Sequence, residues 1–222
     1  MKYSLIWRLL KENKIYFIIV LGLFVFSIIF GFLFPVFFAE FIRKFVEELS
    51  KRTEGMGFFQ LFAFIFDNNL ETAFLGLAFG LFFGIIPIII TFFNGYVLGF
   101  ISNAVASSQG YSVLLRLLPH GIFEIPALIL SLGLGLKLGI SFLVNFVKFY
   151  KKKMNIYLMI VLLILFPLVF FVVSFILSLV RKELRKKLGF DLKNILWIFV
   201  YVIIPLLFIA AIIEAGMIVL LK

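Results

Sequence analysis

The sequence predicts an all-α protein, a polytopic helical bundle that lies in a membrane. Of its 222 residues, 64% are hydrophobic and 19% aromatic, well above the roughly 45–50% apolar content of a soluble domain. The apolar residues form continuous runs long enough to cross a bilayer as helices, whereas a membrane β-barrel would show alternation. We therefore expect a multi-pass protein of the cell membrane, with five to six spans in a single domain over 1–222.

The predicted spans follow these apolar runs. Polar residues and prolines interrupt the middle of the chain, so the helices around 94–126 are expected to be broken or re-entrant. The basic clusters at 148–153 and 181–193 flank one span and must face opposite sides, which leaves the orientation open. The spans are 15–38, 71–93, 119–147, 156–180 and 194–219, with 95–117 as either a sixth crossing or a re-entrant segment.

The charged residues and the missing cysteines exclude several classes of function. The net charge is +10, but Lys and Arg stand beside the apolar runs, which favours anionic lipid headgroups over nucleic acid as their partner. The chain has one His and no Cys. Its sequence contains no second metal-ligand motif, no Ser nucleophile motif and no phosphate-binding loop. We expect neither an enzyme nor a bound cofactor or metal, unless a dimer doubles the His and Glu count.

A different pattern occupies 40–57. Phe41, Phe45 and Leu49 recur at helical spacing, and charged residues fill the opposite face. This pattern predicts an amphipathic helix on the membrane surface. A surface for a partner protein is the alternative interpretation.

Glycines at helical spacing predict close helix packing. Two rows of them let another backbone approach closely, which is the usual packing mode of small residues in membranes. We expect a homo-oligomer, with a dimer favoured, that uses one of these rows. Asn68 or Asn69 precedes the first row and is expected to cap a helix. The rows are Gly76, Gly80 and Gly84, and Gly135 and Gly139.

Polar side chains inside apolar sequence form the candidate functional site. His120 and Glu124 are four residues apart and share a helix face, and Arg116 precedes them by one turn. Asn94 and Glu214 are isolated in apolar surroundings. Ionisable groups are costly in a membrane and mark functional or architectural sites. We therefore group these five residues as one candidate intramembrane polar site.

Two interpretations of this polar site stay open. In the structural one, Glu124 is buried and bonds to His120 or pairs with Arg116, which holds a broken helix in place. In the functional one, the carboxyl exchanges protons, and the helix that begins at Pro119 offers free N–H groups to an anion. Broken helices build substrate sites in transporters, so a small transporter or channel is the alternative function.

Several of these residues together resemble the stage II sporulation protein M family. The resemblance covers about 60–147 and the last helix. It implies a small multi-span protein that acts as a scaffold in a membrane complex, which in spore-forming bacteria contains a peptidoglycan hydrolase. Membrane or envelope proteins are the partners so implied. The residues that carry it are Asn68, Asn69, the first glycine row, Asn94, Gly95, Gly99, the run Pro119-His120-Gly121-Ile122-Phe123-Glu124, and Glu214.

Overall fold

The computed structural model describes residues 2–111, 118–150, 172, 175–176 and 182–220. These residues form helices and turns without a strand, which confirms the all-α prediction. The helices are α1 (Lys2–Glu12), α2 (Lys14–Leu33), α3 (Ala39–Thr53), α4 (Phe58–Ala78), α5 (Ile85–Gln109), α6 (Leu118–Tyr150), α7 (Lys182–Ile198) and α8 (Ile204–Leu220), with a 3₁₀ turn at Phe79–Leu81 and a π-helical turn at Phe199–Ile203.

Four stretches of the described chain are long and apolar enough to cross a membrane. They correspond to the predicted spans 15–38, 119–147 and 194–219 and to the region of 95–117 that was left open. The span predicted at 156–180 lies outside the described residues, apart from 172 and 175–176. The protein is thus a membrane protein, and the count of five to six spans stays a prediction. The four stretches are Lys14–Leu33, Ile85–Gln109, Gly121–Val144 and Leu188–Leu220.

The segment predicted as one span at 71–93 forms two helices. α4 ends at Ala78 and α5 begins at Ile85. Between them Phe83 and Gly84 have φ values of 56° and 75°, a left-handed region that is costly for most residues and easy for glycine. The chain turns at Gly84, for which the sequence suggested only packing. The apolar run contains no polar turn residue that would have revealed it.

The region from 94 onwards is less broken than the sequence suggested. α5 runs without interruption to Gln109 and ends at Gly110, which has a φ of 84°. α6 continues as a helix through Pro126. The interruption expected around 94–126 is therefore confined to the connection between α5 and α6, of which 112–117 lies outside the described residues.

α2 and α5 pack side by side and run in the same direction. Gly95 of α5 lies against Phe24 of α2. Eight residues later on each helix, the Asn103 amide donates a hydrogen bond to the Phe32 carbonyl at 2.9 Å. Because both contacts advance together, the two helices are parallel. The missing side chain of Gly95 brings the backbones close.

α6 is parallel to α4 and antiparallel to α8. The Ser131 hydroxyl of α6 donates to the Ala73 carbonyl of α4 at 2.6 Å, and further along both helices Gly139 lies against the turn that follows α4. α8 runs the other way along α4, since Phe66 meets Phe208 whereas Phe74 meets Phe199.

These directions define two faces of the bundle. The α1 face contains α1, the start of α2, the turn between α4 and α5, the end of α6, and α7. The aliphatic residues of α1 pack there, with Ile6 and Leu9 in one core cluster with Ile195. Because the end of α6 and the start of α7 lie on the same side, the expectation that the basic clusters at 148–153 and 181–193 face opposite sides is wrong for their described residues. The α3 face contains α3, the end of α2, the start of α6 and the end of α8. Lys14 and Leu220 consequently lie on opposite faces.

α3 matches the amphipathic helix predicted at 40–57. Tyr96 of α5 anchors the turn before it, because the Tyr96 hydroxyl lies 2.8 Å from the Phe34 carbonyl and 2.7 Å from that of Phe37. Ile42 is buried beside Tyr96. Phe41 nevertheless stays 58% exposed. The apolar face of α3 is therefore only partly covered by the bundle.

Candidate functional site

The two glycine rows meet each other inside one chain, in what we call the glycine seam. A Cβ added to Gly80 would overlap the Gly135 backbone, and one added to Gly139 would overlap the backbones of Gly80 and Gly84. Gly135 in turn lies on the Gly76 carbonyl. The helices approach here as closely as backbones allow. An oligomer of this chain must use another surface.

Glu124 lies on the same face of α6 as the glycines of the seam. It precedes Ser131 by seven residues, which is two helical turns, and Ser131 donates to α4. Glu124 therefore faces α4 near its middle, beyond the end of the glycine seam. Its side chain is partly buried.

Glu214 approaches Glu124 from α8. Ala211 and Ala215 of α8 pack against Leu61 of α4, and Leu207 lies in the cluster that contains the α6 core. Glu214 lies two helical turns after Leu207 and next to Ala215, so it is on the side of α8 that packs into the bundle. Glu124 and Glu214 thus lie on neighbouring helices towards the α3 face.

Asn69 is a buried polar residue for which the sequence suggested only a helix cap. It lies within α4 rather than at its start, as does the exposed Asn68, so neither residue caps the helix. Asn69 follows Leu61 and Ile65 at intervals of four and is only 8% exposed. Among the described residues its side-chain amide has no hydrogen-bond partner. We call Asn69, Glu124 and Glu214 the polar end of the seam.

Asn94 lies apart from the polar end. Its amide donates to the Ile90 carbonyl of its own helix at 2.8 Å. The glycines that follow it serve packing, since Gly95 and Gly99 lie on the backbones of Phe24 and Ile28. The structure therefore places this group in the contact between α2 and α5.

The other predicted site residues are described only in part. Arg116 lies outside the described residues. Pro119 and His120 belong to the first turn of α6, as the sequence suggested for Pro119, and their side chains lie outside the description. Gly121 follows in the same turn, and an added Cβ there would meet the Ile125 side chain at 2.7 Å.

Sequence reasoning missed an ion pair inside the bundle. The Lys137 ammonium of α6 binds the Asp191 carboxylate of α7 at 2.5 Å, and the two side chains are only 16% and 15% exposed. The Ser141 hydroxyl donates to the same carboxylate at 3.2 Å. Lys137 stands alone in an apolar run, which was the available signal. The pair ties α6 to α7 at the α1 face.

An open cleft of about 810 Å³ lies on the opposite side of α6 from α4. Its lining comes from α2, α5 and α6 and is apolar apart from Ser102. No charged side chain belongs to this described lining. Within the described residues, no three His, Cys, Asp or Glu side chains converge either. Glu124 and Glu214 differ from the other unpaired carboxyls of the described bundle, such as the exposed Asp67 and Glu71, because their side chains are partly buried.

Comparison with known proteins decides the family. The family model described as Stage II sporulation protein M matches residues 20–217, nearly the whole chain. The chain belongs to the stage II sporulation protein M family. This confirms the resemblance that the polar residues and glycines carried, and it extends beyond 60–147.

The chain also has a relative in an archaeon. The chain is similar to an uncharacterized protein of Methanocaldococcus jannaschii, with 34% identity over 120 residues. That match covers 53% of this chain and 65% of the archaeal protein. No solved structure matches the chain.

Proposed function

We propose that this member of the stage II sporulation protein M family is a non-enzymatic scaffold that assembles a membrane complex. The family match over 20–217 carries this proposal. The glycine seam supports it, because helices in backbone contact form a rigid support. The partners are membrane or envelope proteins, and the site of action is the cell membrane.

α3 is the element we assign to partner contact. It is anchored to the bundle through Tyr96 and Ile42, while Phe45 and Val46 are 39% and 37% exposed on its apolar face. Two ion pairs form within the helix, Lys44 with Glu40 and Lys51 with Glu47, each at 2.7 Å. The partly exposed apolar face is the surface to which we assign the attachment.

A photo-crosslinking experiment tests this role. A photoreactive phenylalanine analogue replaces Phe45 in cells, and the matched control carries it at Ile18, an exposed residue of the α2 span. Phe45 should give discrete protein adducts that Ile18 does not give. Lipid adducts alone at both positions would contradict a scaffold that works through α3.

A chain that binds itself is the simplest partner, and we propose a homodimer. Because the glycine rows are occupied within one chain, we propose that the contact uses the exposed apolar face of α3. Adducts of Phe45 at twice the mass of the chain would identify it. Monomers alone in the same membranes would contradict it.

The arrangement of basic residues supports one orientation. Exposed Arg8 and Lys11 of α1 and Arg185 and Lys186 of α7 share the α1 face, where we expect anionic headgroups. In α1 and α7, eight Lys and Arg outnumber three Asp and Glu, whereas α3 has four Lys and Arg against three Glu. We propose that the α1 face is cytoplasmic, since short basic segments remain on that side.

The orientation is simple to test because the chain has no Cys. A single Cys at Lys11 and another at Lys51 give two variants without background labelling. In intact cells, an impermeant maleimide should label only the second. Labelling of the first alone would reverse the orientation.

Transport or conduction is the second candidate function. The polar end favours it, since Glu124 and Glu214 are partly buried carboxyls inside a membrane bundle and such groups mark ion or proton pathways. Proteoliposomes with a pH-sensitive dye separate the two functions. Flux that Glu124→Gln abolishes while the protein remains folded would replace the scaffold proposal. No flux for a panel of common ions would leave the scaffold standing.

A further inference from the structure

The outer face of α7 carries a groove whose lining and charge fit a component of the membrane itself. We propose that this groove holds a single anionic phospholipid, with its phosphate on the basic start of α7 and an acyl chain along the apolar remainder. The proposal goes beyond the general attraction of headgroups to the α1 face, because it assigns one lipid to one site. It depends on the membrane location of the chain and not on the scaffold role.

α7 has one face in the bundle and one face outside it. Ile195 and Ile198 are buried, at 2% and 1% exposure, and Asp191 on the same side binds Lys137 of α6. On the opposite side of the helix lies an open groove of about 520 Å³. The described part of its lining includes Gly189, Lys193, Leu196, Trp197, Val200 and Tyr201.

The groove follows the helix for about the depth of one leaflet. Its lining residues recur at intervals of three and four, which places them in one stripe along the helix. From Gly189 to Tyr201 the stripe extends about 18 Å at 1.5 Å per residue, and half of the hydrocarbon core is about 15 Å thick. Gly189 lies at the α1-face end of the apolar stretch Leu188–Leu220. The groove thus follows the path of an acyl chain that starts at the α1 face.

Basic residues continue the same stripe beyond the groove. Lys182, Arg185 and Lys186 precede Gly189 by seven, four and three residues, and all three are exposed. They come before the apolar stretch begins, so they lie at the level of the headgroups. Lys193 belongs to the groove itself, and a long basic side chain there extends towards the interface. Four cations therefore surround the position of a lipid phosphate.

The shape of the groove fits a chain that passes from the cations to an apolar wall. The rings of Trp197 and Tyr201 stack with their centroids 5.1 Å apart and their planes at 19°, which gives a flat apolar surface. At the other end, no described atom lies within 4 Å of the Cβ that Gly189 would gain. This open space lies where the glycerol part of a phospholipid would pass.

Charge favours an anionic phospholipid over the other candidate occupants. α7 carries five Lys and Arg against Glu183 and Asp191, and Asp191 is bound to Lys137. A zwitterionic lipid would gain contact with the groove but nothing from this surplus, and a soluble phosphate would gain only from the surplus. Residues 151–181 of the chain itself are the third alternative, since they connect α6 to α7.

Quenching of Trp197 fluorescence by brominated acyl chains tests the occupancy, because bromine quenches at contact distance. The Trp7→Phe background leaves Trp197 as the single Trp of the full chain. The protein is reconstituted in phosphatidylcholine vesicles at near-physiological salt, and phosphatidylglycerol with dibrominated chains replaces a rising share of the lipid. We expect quenching to saturate at a mole fraction roughly tenfold lower than with brominated phosphatidylcholine.

Substitutions of exposed residues separate the two parts of the site. Arg185→Gln and Lys193→Gln should each lower the preference for the anionic lipid by up to about fivefold. Gly189→Phe should reduce quenching by both lipids, because the ring fills the groove without overlapping a described atom. Lys11→Gln is the matched control, since Lys11 is an exposed cation of α1 on the same face and lies outside the groove lining. It should keep the preference.

Four outcomes would overturn the proposal. The absence of quenching by either lipid would assign the groove to residues 151–181. Equal quenching by both lipids would reduce the groove to ordinary lipid contact. A loss of preference in Lys11→Gln equal to that in Lys193→Gln would indicate attraction to the whole α1 face. Complete loss of the preference in soluble glycerol phosphate, at unchanged ionic strength, would assign the cations to a free phosphate.

None of these outcomes changes the crosslinks expected at Phe45 of α3. The lipid site and the scaffold role therefore fail independently.

Discussion

The contact between α4 and α6 is formed by glycines at one end and contains polar side chains at the other. At one end, Gly80 and Gly135 leave no space between the backbones. At the other, Asn69 and Glu124 place polar groups inside the contact. Ser131 lies between them and bonds across the helices at 2.6 Å.

The difference shows how one helix pair can combine rigidity with a site. Closely packed glycines fix the distance and register of the helices through van der Waals contact. Asn69 and Glu124 lie on the same two helices outside the glycine seam, so they are not needed to hold the helices together. We expect substitutions at the glycine end to change stability strongly and those at the polar end to change it little.

The largest effect should come from Gly80→Leu. The new side chain has to displace the Gly135 backbone, which cannot move aside as a flexible side chain would. We expect a loss of about 3 kcal/mol or more in unfolding free energy, or no folded protein. Thermal unfolding in detergent is the measurement.

Gly22→Leu is the control for that prediction. Gly22 lies in α2, and nothing lies within 4 Å of the Cβ it would gain. It should leave the Tm nearly unchanged. An equal loss in both variants, or none in Gly80→Leu, would refute the claim that the seam fixes the bundle.

The next largest effect should come from Lys137→Met. It leaves the Asp191 carboxylate without its partner while both groups are largely buried, and breaking such a pair costs about 3 kcal/mol or more. The double variant with Asp191→Leu should recover much of the loss. If Lys137→Met alone is as mild as Lys51→Met, whose pair is exposed, the glycines alone hold that end.

Ser131→Ala tests the middle of the contact. It removes one hydrogen bond to a helix carbonyl, and such bonds in membrane proteins contribute about 0.6 kcal/mol and at most about 1.7. The loss should be several times smaller than for Gly80→Leu. A loss equal to that of Gly80→Leu would mean that the hydrogen bond, rather than the glycines, sets the register.

Glu124→Gln should have the smallest effect on stability. It replaces a carboxyl, for which the described residues offer no ion-pair partner, by an amide of the same size, so the unfolding free energy should change by less than about 1 kcal/mol. Glu71→Gln should leave it unchanged. A large loss of stability in Glu124→Gln would show that the polar end is structural, with His120 or Arg116 as the missing partner.

The sequence was sufficient for the fold class, the family and most apolar helices, because these follow from hydropathy and spacing. It was insufficient at Gly84, where one residue with positive φ turns the chain in the middle of a predicted span. A turn of this kind needs only a glycine, and the neighbouring glycines had the same sequence pattern as a packing row.

The candidate site could be predicted only in part for a similar reason. Glu124 and Glu214 were identified because a carboxyl in apolar sequence is conspicuous on its own. Asn69 was predicted to be a helix cap because it precedes the first glycine row. The residues before it belong to the same helix, α4. Asn94 is also an asparagine in apolar sequence, but its amide donates to a carbonyl of its own helix. The sequence does not distinguish these two environments, which depend on how α4, α6 and α8 pack.

The shared direction of α2 and α8 has a consequence for anything joined to this protein. Lys14 begins one helix on the α1 face, and Leu220 ends the other on the α3 face. A domain fused before α2 and another fused after α8 would occupy different aqueous compartments, about 30 Å of hydrocarbon apart. The bundle can therefore hold two attached domains at a fixed separation, one on each side of the membrane.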